Sequence, residues 1–227
     1  MAGAYSTDDR DLALARVDHW LGADGRQEEL EQAIASFLMV ALPEEDDAFQ
    51  EEDLQNPNFQ TLLSGWLEAD APLSEHPCAA MAVLTTEQEE LAPGSRRYLS
   101  LLADSRLGFF EIQELDSDHR ITLRDLLSEE SCLIQGPEGS DQLETGDVLA
   151  ARLLDGSHDD EKVLDSLVLL PGSAADIRIL LHEYRQGLIQ EGDESVVQAL
   201  ESSKGDRVFR KLLAPVAGRL WMAGVEA

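Results

Sequence analysis

Apolar residues recur at three- and four-residue intervals through the first third of the chain, which is the spacing of amphipathic helices. Capping and breaking residues delimit these stretches: a Ser or Thr precedes an acidic first turn, a Pro ends the second stretch, and an Asn-Pro pair opens the third. The predicted helices begin at Ser6 or Thr7, cover residues 27–42, and begin again at Asn56. Residues 1–69 are therefore predicted to form a helical unit.

Residues 70–106 are predicted to be connecting helices. Residues 70–85 contain Pro and Ala and are interpreted as a linker. Thr86 and Glu89 have the spacing of a capping box, which predicts that a short helix begins at Thr86. A further helix is predicted around residues 96–104.

From Leu107 the hydrophobic period changes toward two, the spacing of β-strands. Phe110 and Ile112 alternate with polar neighbours, and the polar residues 116–119 suit a turn before a returning strand. Further strands are predicted at residues 132–135, 147–154 and 163–170. About five short strands in such a short stretch predict a small antiparallel β barrel or curled sheet, a β module over residues 107–171.

Helical periodicity returns after Pro171, with Ser173 as a suitable N-cap. Shorter helices are predicted near residues 195–202 and 206–213, ending before Pro215. The predicted fold class is α+β, with an N-terminal helical unit, the β module and a C-terminal helical segment. The four predicted segments are residues 1–69, 70–106, 107–171 and 172–227.

Composition adds a strong negative charge to this picture. The 227 residues include 46 acidic and 17 basic side chains, a formal net charge of −29. Residues 1–77 carry 18 acidic and 3 basic side chains and residues 107–171 carry 16 and 4, whereas the other two stretches are nearly balanced. Such a field repels nucleic-acid phosphates and anionic lipids. It therefore disfavours direct nucleic-acid or membrane binding and favours a basic protein partner.

Acidic runs in turns and loops are the candidate partner-binding residues. The longest run follows the helix stop at Pro43, and the others lie in or beside predicted β turns. The candidates are Glu44, Glu45, Asp46, Asp47, Glu51, Glu52, Asp53, Asp116, Asp118, Asp159, Asp160 and Glu161. A solubilising or salt-adapted surface is the alternative interpretation of the same residues.

A family resemblance is carried by three spaced segments of the β region: FFEIQEL from Phe109, ITLRDLLS from Ile121 and LETGDVLAARL from Leu143. With them, residues 98–171 resemble a β-rich module of uncharacterised bacterial proteins that often carry a cysteine-rich zinc motif of the SEC-C type. The resemblance implies a bacterial origin and an interaction module, and it implies no activity. The zinc motif is not carried over, because it needs clustered cysteines and this chain contains only Cys78 and Cys132.

Motifs for nucleotide or hydrolytic chemistry are missing from the sequence. It contains neither a P-loop nor a GxGxxG pattern, and Ser173 is not part of a GxSxG elbow. His76 and Cys78 are two zinc-type ligands without a further pair, and the acidic loop at Asp155 lacks EF-hand spacing. The other histidines considered are interpreted as polar surface residues: His119, His158 and His182. The sequence therefore predicts no catalytic residue, no cofactor and no essential metal.

Charged residues inside the β region need partners if they are buried. Arg124 and Asp125, together with Asp147 and Arg152, are interpreted as a buried or interstrand ion-pair network in the β module, and a ligand pocket is the alternative interpretation. Near the C-terminal end, a basic patch is formed by Lys204, Arg207, Arg210 and Lys211. Its simplest role is contact with an acidic block, within the chain or in another molecule.

The function that these features favour is a non-enzymatic binding or regulatory protein that engages a basic partner. One alternative is an acidic mimic of nucleic acid, which needs carboxylates spaced like phosphates on one face. The other is a hydrolase with a carboxylate-lined cleft. The N-terminus lacks a signal-peptide pattern, no stretch reaches the apolar length of a transmembrane helix, and cysteines are few. A cytoplasmic location is therefore predicted.

Overall fold

The computed structural model describes residues 5–42, 54–137, 140–156, 161–191, 194–202 and 205–225. Within these ranges, helices surround one five-stranded sheet, which confirms the predicted α+β fold class. The helices are α1 (Thr7–Leu21), α2 (Gln27–Ala41), α3 (Pro57–Ala69), α4 (Ala79–Thr86), α5 (Pro93–Asp104), α6 (Ala174–Glu191), α7 (Glu194–Glu201), α8 (Gly205–Lys211) and α9 (Leu213–Val225). The strands are β1 (Arg106–Leu115), β2 (Arg120–Asp125), β3 (Ser131–Gln135), β4 (Val148–Asp155) and β5 (Glu161–Leu170).

Local capping signals set several helix starts as predicted. Ser6 and Asp9 form a capping box at α1: the Ser6 hydroxyl accepts a hydrogen bond from the backbone N–H of Asp9, and the Asp9 carboxylate accepts one from the backbone N–H of Ser6. The Asn56 side chain caps α3, with Pro57 in its first turn. Ser173 caps α6 in the same way, since its hydroxyl accepts from the backbone N–H of Asp176 at 3.2 Å.

The capping-box prediction at Thr86 and Glu89 was wrong. Helix α4 ends at Thr86, and the Thr86 hydroxyl donates to the carbonyl of Ala82 instead of capping a new helix. Apolar residues of α4 are fully buried against α1 and α5, although its N-cap makes no side-chain hydrogen bond. The position of α4 therefore follows from the burial of its apolar face, and a polar capping motif does not mark its start.

Helix α9 was not predicted, because Pro215 was interpreted as a stop. In the structure Pro215 lies in the first turn of α9. The first backbone N–H groups of a helix have no acceptor inside the helix, so a proline at this position loses no hydrogen bond. The following residues are largely buried against α2 and α3, which gives α9 a central place in the fold.

The strands curl into a small barrel in the order β1-β2-β3-β5-β4. Neighbouring strands are antiparallel except β3 and β5, which run parallel and pair only at Leu133 with Glu161 and at Ile134 with Lys162. A ring of five strands cannot alternate in direction all the way round, so one pair must be parallel. The sheet is thus strongly curled and closes through this one short contact.

Three hydrophobic clusters are buried in the described part of the chain. One fills the barrel and includes Phe110, Ile112, Ile121, Leu123, Ile134 and Leu149. A second lies between α1, α4 and α5. The largest joins α2, α3 and the C-terminal helices to the outer face of β1, β4 and β5. The second and the largest cluster therefore cross the boundaries of the four predicted segments.

Candidate functional site

Most of the acidic residues predicted to bind a partner lie outside the described residues. This applies to Glu44, Glu45, Asp46, Asp47, Glu51, Glu52, Asp53, Asp159 and Asp160. Glu161 is the first residue of β5. Asp116 and Asp118 lie in the turn that joins β1 to β2.

Asp116 and Asp118 have different surroundings in that turn. One Asp116 oxygen accepts from the backbone N–H groups of Asp118 and Arg120, each at 2.9 Å, and the other accepts from the Arg120 guanidinium at 2.9 Å. The hydrogen bond from the Arg120 backbone contributes most to lowering the pKa of Asp116 below its usual range. Asp118 is 77% exposed and lies 3.8 Å from Arg120. The Asp116 carboxylate therefore holds the turn, and Asp118 presents the more exposed carboxylate of the two.

The described residues form a groove of about 710 Å³, called here the α2 groove. It lies between α2, the loop after α3, α6 and the start of α9, a size and setting typical of ligand sites. Its apolar lining includes Ala33, Val40, Trp66, Leu73, Tyr184 and Pro215. Its polar lining includes Glu28, Glu29, Gln32, Ser36 and Ser74.

The α2 groove is acidic and presents no basic side chain among the described residues that line it. Glu28, Gln32 and Ser36 follow one another at four-residue intervals and share one face of α2. Met39 lies seven residues after Gln32, on the same helical face, and is 84% exposed. The groove therefore offers carboxylate and amide oxygens beside apolar surface, an arrangement that complements a group with hydrogen-bond donors, positive charge and an apolar body.

Glu29 of α2 binds the loop after α3, which forms one wall of the α2 groove. A single Glu29 oxygen accepts from the backbone N–H of Ser74 at 2.5 Å and from its hydroxyl at 2.7 Å. The Ser74 hydroxyl, followed by its N–H, lowers the pKa of Glu29, with a smaller contribution from Arg26. Glu29 is therefore ionised at neutral pH and holds the loop, which leaves Glu28 as the more exposed carboxylate of the groove.

Arg152 takes part in a buried ion pair, as predicted, but Asp147 does not belong to it. Arg152 is only 1% exposed and pairs with Asp70, which lies just after α3. Its guanidinium also donates to the Ser105 hydroxyl at 2.9 Å. Asp147 instead accepts from the backbone N–H of Glu144 at 2.8 Å and shapes the turn before β4.

Arg124 and Asp125 do not pair with each other, because successive strand residues point to opposite faces of the sheet. Arg124 donates to Glu111 of the neighbouring strand at 2.8 Å. Asp125 forms two hydrogen bonds with Arg210 of α8, at 2.8 and 2.9 Å. Arg210 belongs to the predicted basic patch, so this member of the patch contacts an acidic residue of the same chain. Lys204 lies outside the described residues.

A buried polar cluster, called here the Asp165 cluster, joins the helices to the barrel. Arg152 lies opposite Ser166 and Leu153 opposite Leu164, so Asp165 is the extra residue of a β-bulge in β5. Its carboxylate accepts from the Tyr98 hydroxyl at 2.9 Å and from the Arg10 guanidinium at 3.1 Å. Burial, then the charge of Asp165, raises the pKa of Tyr98, so Tyr98 remains a protonated donor.

The described histidines lie on different elements of the fold. His76 packs edge-on against the Trp20 ring with 6.0 Å between ring centroids, while His119 and His182 are exposed, as predicted. His158 lies outside the described residues. Within the described ranges, no cluster of three or more His, Cys, Asp or Glu is placed to hold a metal ion. None of the described helices is long and apolar enough to cross a membrane.

Comparison of the chain with models of known protein families finds no match, and a search of curated proteins finds none either. The α2 groove was not predicted from the sequence, because its lining comes from residues far apart along the chain. The one local signal in the sequence was a face of α2 on which the polar residues Gln32 and Ser36 are followed by the apolar Met39, which is exposed in the structure.

Proposed function

We propose that this protein is a non-enzymatic binding or regulatory protein that takes a basic, partly apolar segment of another protein into the α2 groove. The observation that supports the proposal is the lining of the groove, where apolar side chains lie beside Glu28 and Glu29 without a basic residue among the described lining. Basic amphipathic segments bind grooves of this chemistry through apolar anchors and flanking Lys or Arg.

The charge of the whole chain supports the same partner. A net charge of −29 attracts a basic segment over a distance and raises the rate of encounter, whereas it repels nucleic acid. The resemblance of residues 98–171 to a bacterial interaction module fits a role in protein contacts. A cytoplasmic setting in a bacterium is part of the same proposal.

The groove lends less support to the two alternatives. Glu29 is held by Ser74, so Glu28 and Glu29 are not a free carboxylate pair of the kind that hydrolysis needs. A nucleic-acid mimic relies on a charged surface, whereas the α2 groove combines its two carboxylates with a largely apolar lining. A protein segment with both charge and apolar side chains matches this lining better.

The test is a titration with a Lys/Leu amphipathic peptide of about 14 residues, compared with its Glu/Leu counterpart. We expect the basic peptide to bind more tightly, and we expect Gln32→Lys to weaken that binding about tenfold, or about 1.4 kcal/mol, through like-charge repulsion in the groove. Isothermal titration calorimetry measures both effects.

The matched control is Gln186→Lys, which adds the same charge to an exposed helical position of α6 that does not line the groove. It should leave the affinity for the basic peptide nearly unchanged. Equal affinity for the basic and acidic peptides, or equal losses in the two variants, would contradict the proposal.

A further inference from the structure

A second cavity, called here the mouth cleft, opens at one end of the barrel and has a volume of about 630 Å³. Phe110, Cys132 and Leu153 from the barrel core contribute its apolar lining. Helix α5, the turn after β2 and Arg210 of α8 form the sides of the cleft. The mouths of β-barrels are common positions for small-molecule sites.

The charge of the mouth cleft differs from that of the rest of the chain. It is lined by four of the 17 basic residues, Arg97, Arg106, Lys162 and Arg210, and by four acidic residues, Asp104, Asp125, Glu130 and Asp155. The lining is therefore neutral within a chain of net charge −29. The α2 groove, by contrast, has two acidic lining residues and no basic one among those described.

Two of the four acidic residues in the mouth cleft are neutralised by basic side chains that also line it. Asp125 is paired with Arg210 and also accepts from the backbone N–H groups of Leu127 and Ser128, at 2.8 and 3.0 Å. Asp155 is paired with Lys162. The Asp125 contacts fix the turn after β2, and the two ion pairs neutralise two of the four carboxylates that would repel an anion.

Hydrogen-bond donors remain available on two sides of the mouth cleft. Arg97 and Ser100 lie three residues apart on α5, and Ser131, the first residue of β3, lines the same cavity. Among the described residues, none supplies an ion-pair or hydrogen-bond partner to the side chains of these three. An arginine with neighbouring hydroxyl groups is suited to a phosphate or carboxylate group.

We propose that the mouth cleft binds a small molecule that carries an anionic phosphate or carboxylate group on an apolar body. The anionic group lies between Arg97, Ser100 and Ser131, and the apolar body lies over Phe110 and Leu153. This site is independent of the α2 groove and differs from it in the charge that it selects. The protein would therefore have one site for a basic segment and another for a small organic anion.

The two cysteines provide a built-in reporter for this site. Cys132 lines the mouth cleft and is partly exposed, whereas Cys78 is only 1% exposed. Burial raises the pKa of both thiols, which slows the reaction of each, but only Cys132 is open to a reagent. A ligand in the cleft should therefore protect Cys132 from modification.

The experiment measures the rate at which N-ethylmaleimide modifies Cys132, by mass spectrometry of the intact protein and of its peptides. The probe is phenyl phosphate, and the comparison molecules are benzyl alcohol and benzylamine, which keep the ring and change the charge. With a dissociation constant of about 1 mM and a probe concentration of about 10 mM, modification should slow about tenfold. A salt concentration of about 0.15 M screens the distant carboxylates.

We expect Arg97→Gln to abolish the protection by phenyl phosphate, Arg97→Lys to retain part of it, and Glu28→Gln in the α2 groove to leave it intact. Arg97 is exposed, so both variants should fold, which a thermal melt checks. Absence of protection by phenyl phosphate would overturn the proposal. So would equal protection by the three probes, or protection that survives Arg97→Gln. None of these outcomes bears on peptide binding in the α2 groove.

Discussion

Arg152 is a charged residue in the middle of the fold, on the outer face of β4 and almost fully buried. Its pairing with Asp70 and its bond to Ser105 connect the end of α3, the start of β1 and the barrel. A buried pair of this kind adds little net stability, but removing one partner leaves an unpaired buried charge and costs about 3–5 kcal/mol. The pair therefore acts to fix how α3 lies against the barrel.

Glu68 is the residue on α3 whose titration we expect to affect stability most. Burial, then the negative charge of Asp165, raises the pKa of Glu68 to about 7, and Asp18 adds to the effect. Arg152 and Arg10 act in the opposite direction. Because the folded state disfavours the ionised carboxylate, the free energy of unfolding should fall as pH rises from the ordinary pKa of 4.5 to about 7, and then level off.

Substitution of Glu68 by Gln should remove this pH dependence. At about pH 4 the variant and the wild type should be almost equally stable, because Glu68 is then largely protonated in both the folded and the unfolded states. At pH 8 the variant should be more stable by about 2 kcal/mol, a value reduced from the full pKa shift because the side chain is partly exposed. Urea unfolding at the two pH values measures the difference in free energy of unfolding between the variant and the wild type. An equal difference at both pH values would refute the role of Glu68.

At the scale of elements, Asp125 connects the turn after β2 to helix α8. Its carboxylate accepts from the backbone N–H groups of Leu127 and Ser128 in the turn after β2, and it pairs with Arg210 of α8. Both side chains of the ion pair are largely buried. One acidic residue therefore connects the barrel rim to a C-terminal helix.

Replacing Asp125 and Arg210 separately should distinguish these roles. Arg210→Gln removes the ion pair and should raise amide hydrogen exchange in α8 while the turn after β2 stays protected. Asp125→Ala should raise exchange in both places and cost about 1–3 kcal/mol more, because the turn also loses its acceptor. Exchange measured by mass spectrometry would disprove the assignment if Arg210→Gln loosened the turn as much as Asp125→Ala.

At the scale of the whole molecule, the two acidic blocks should govern how fast a basic partner associates. Replacing Glu44, Glu45, Asp46 and Asp47 by their amides should leave the melting temperature unchanged or slightly higher, because like-charge repulsion falls. It should slow association with the basic peptide and leave its dissociation nearly constant. Stopped-flow association at low and high salt measures this.

A matched control replaces Asp8, Asp11, Glu89 and Glu90, four exposed carboxylates that lie outside the run after Pro43. If only total charge matters, both quadruple variants should slow association equally. A larger effect of the run at 44–47 would assign it a specific part in binding. Equal rates for wild type and the 44–47 variant at about 50 mM and 300 mM salt would show that this run takes no part in the encounter.

Much of the fold was predictable because the signals are local. The capping box at Ser6 and Asp9, the Asn56 cap and the Ser173 cap each involve residues at most three positions apart. The alternation of apolar and polar residues likewise located the strands within one or two residues of their observed bounds. Such patterns depend on backbone geometry alone, so the sequence by itself determined the type and approximate limits of most elements.

The tertiary structure decided which elements and side chains meet. Asp70 and Arg152 are 82 positions apart, and nothing in the spacing of either residue indicates the other. Pro215 starts α9 instead of stopping a helix, because the residues after it are buried against α2 and α3. The α2 groove and the mouth cleft depend on such packing. Each is lined by residues from several elements, and contacts over that separation follow from the packing of the whole chain rather than from any local pattern.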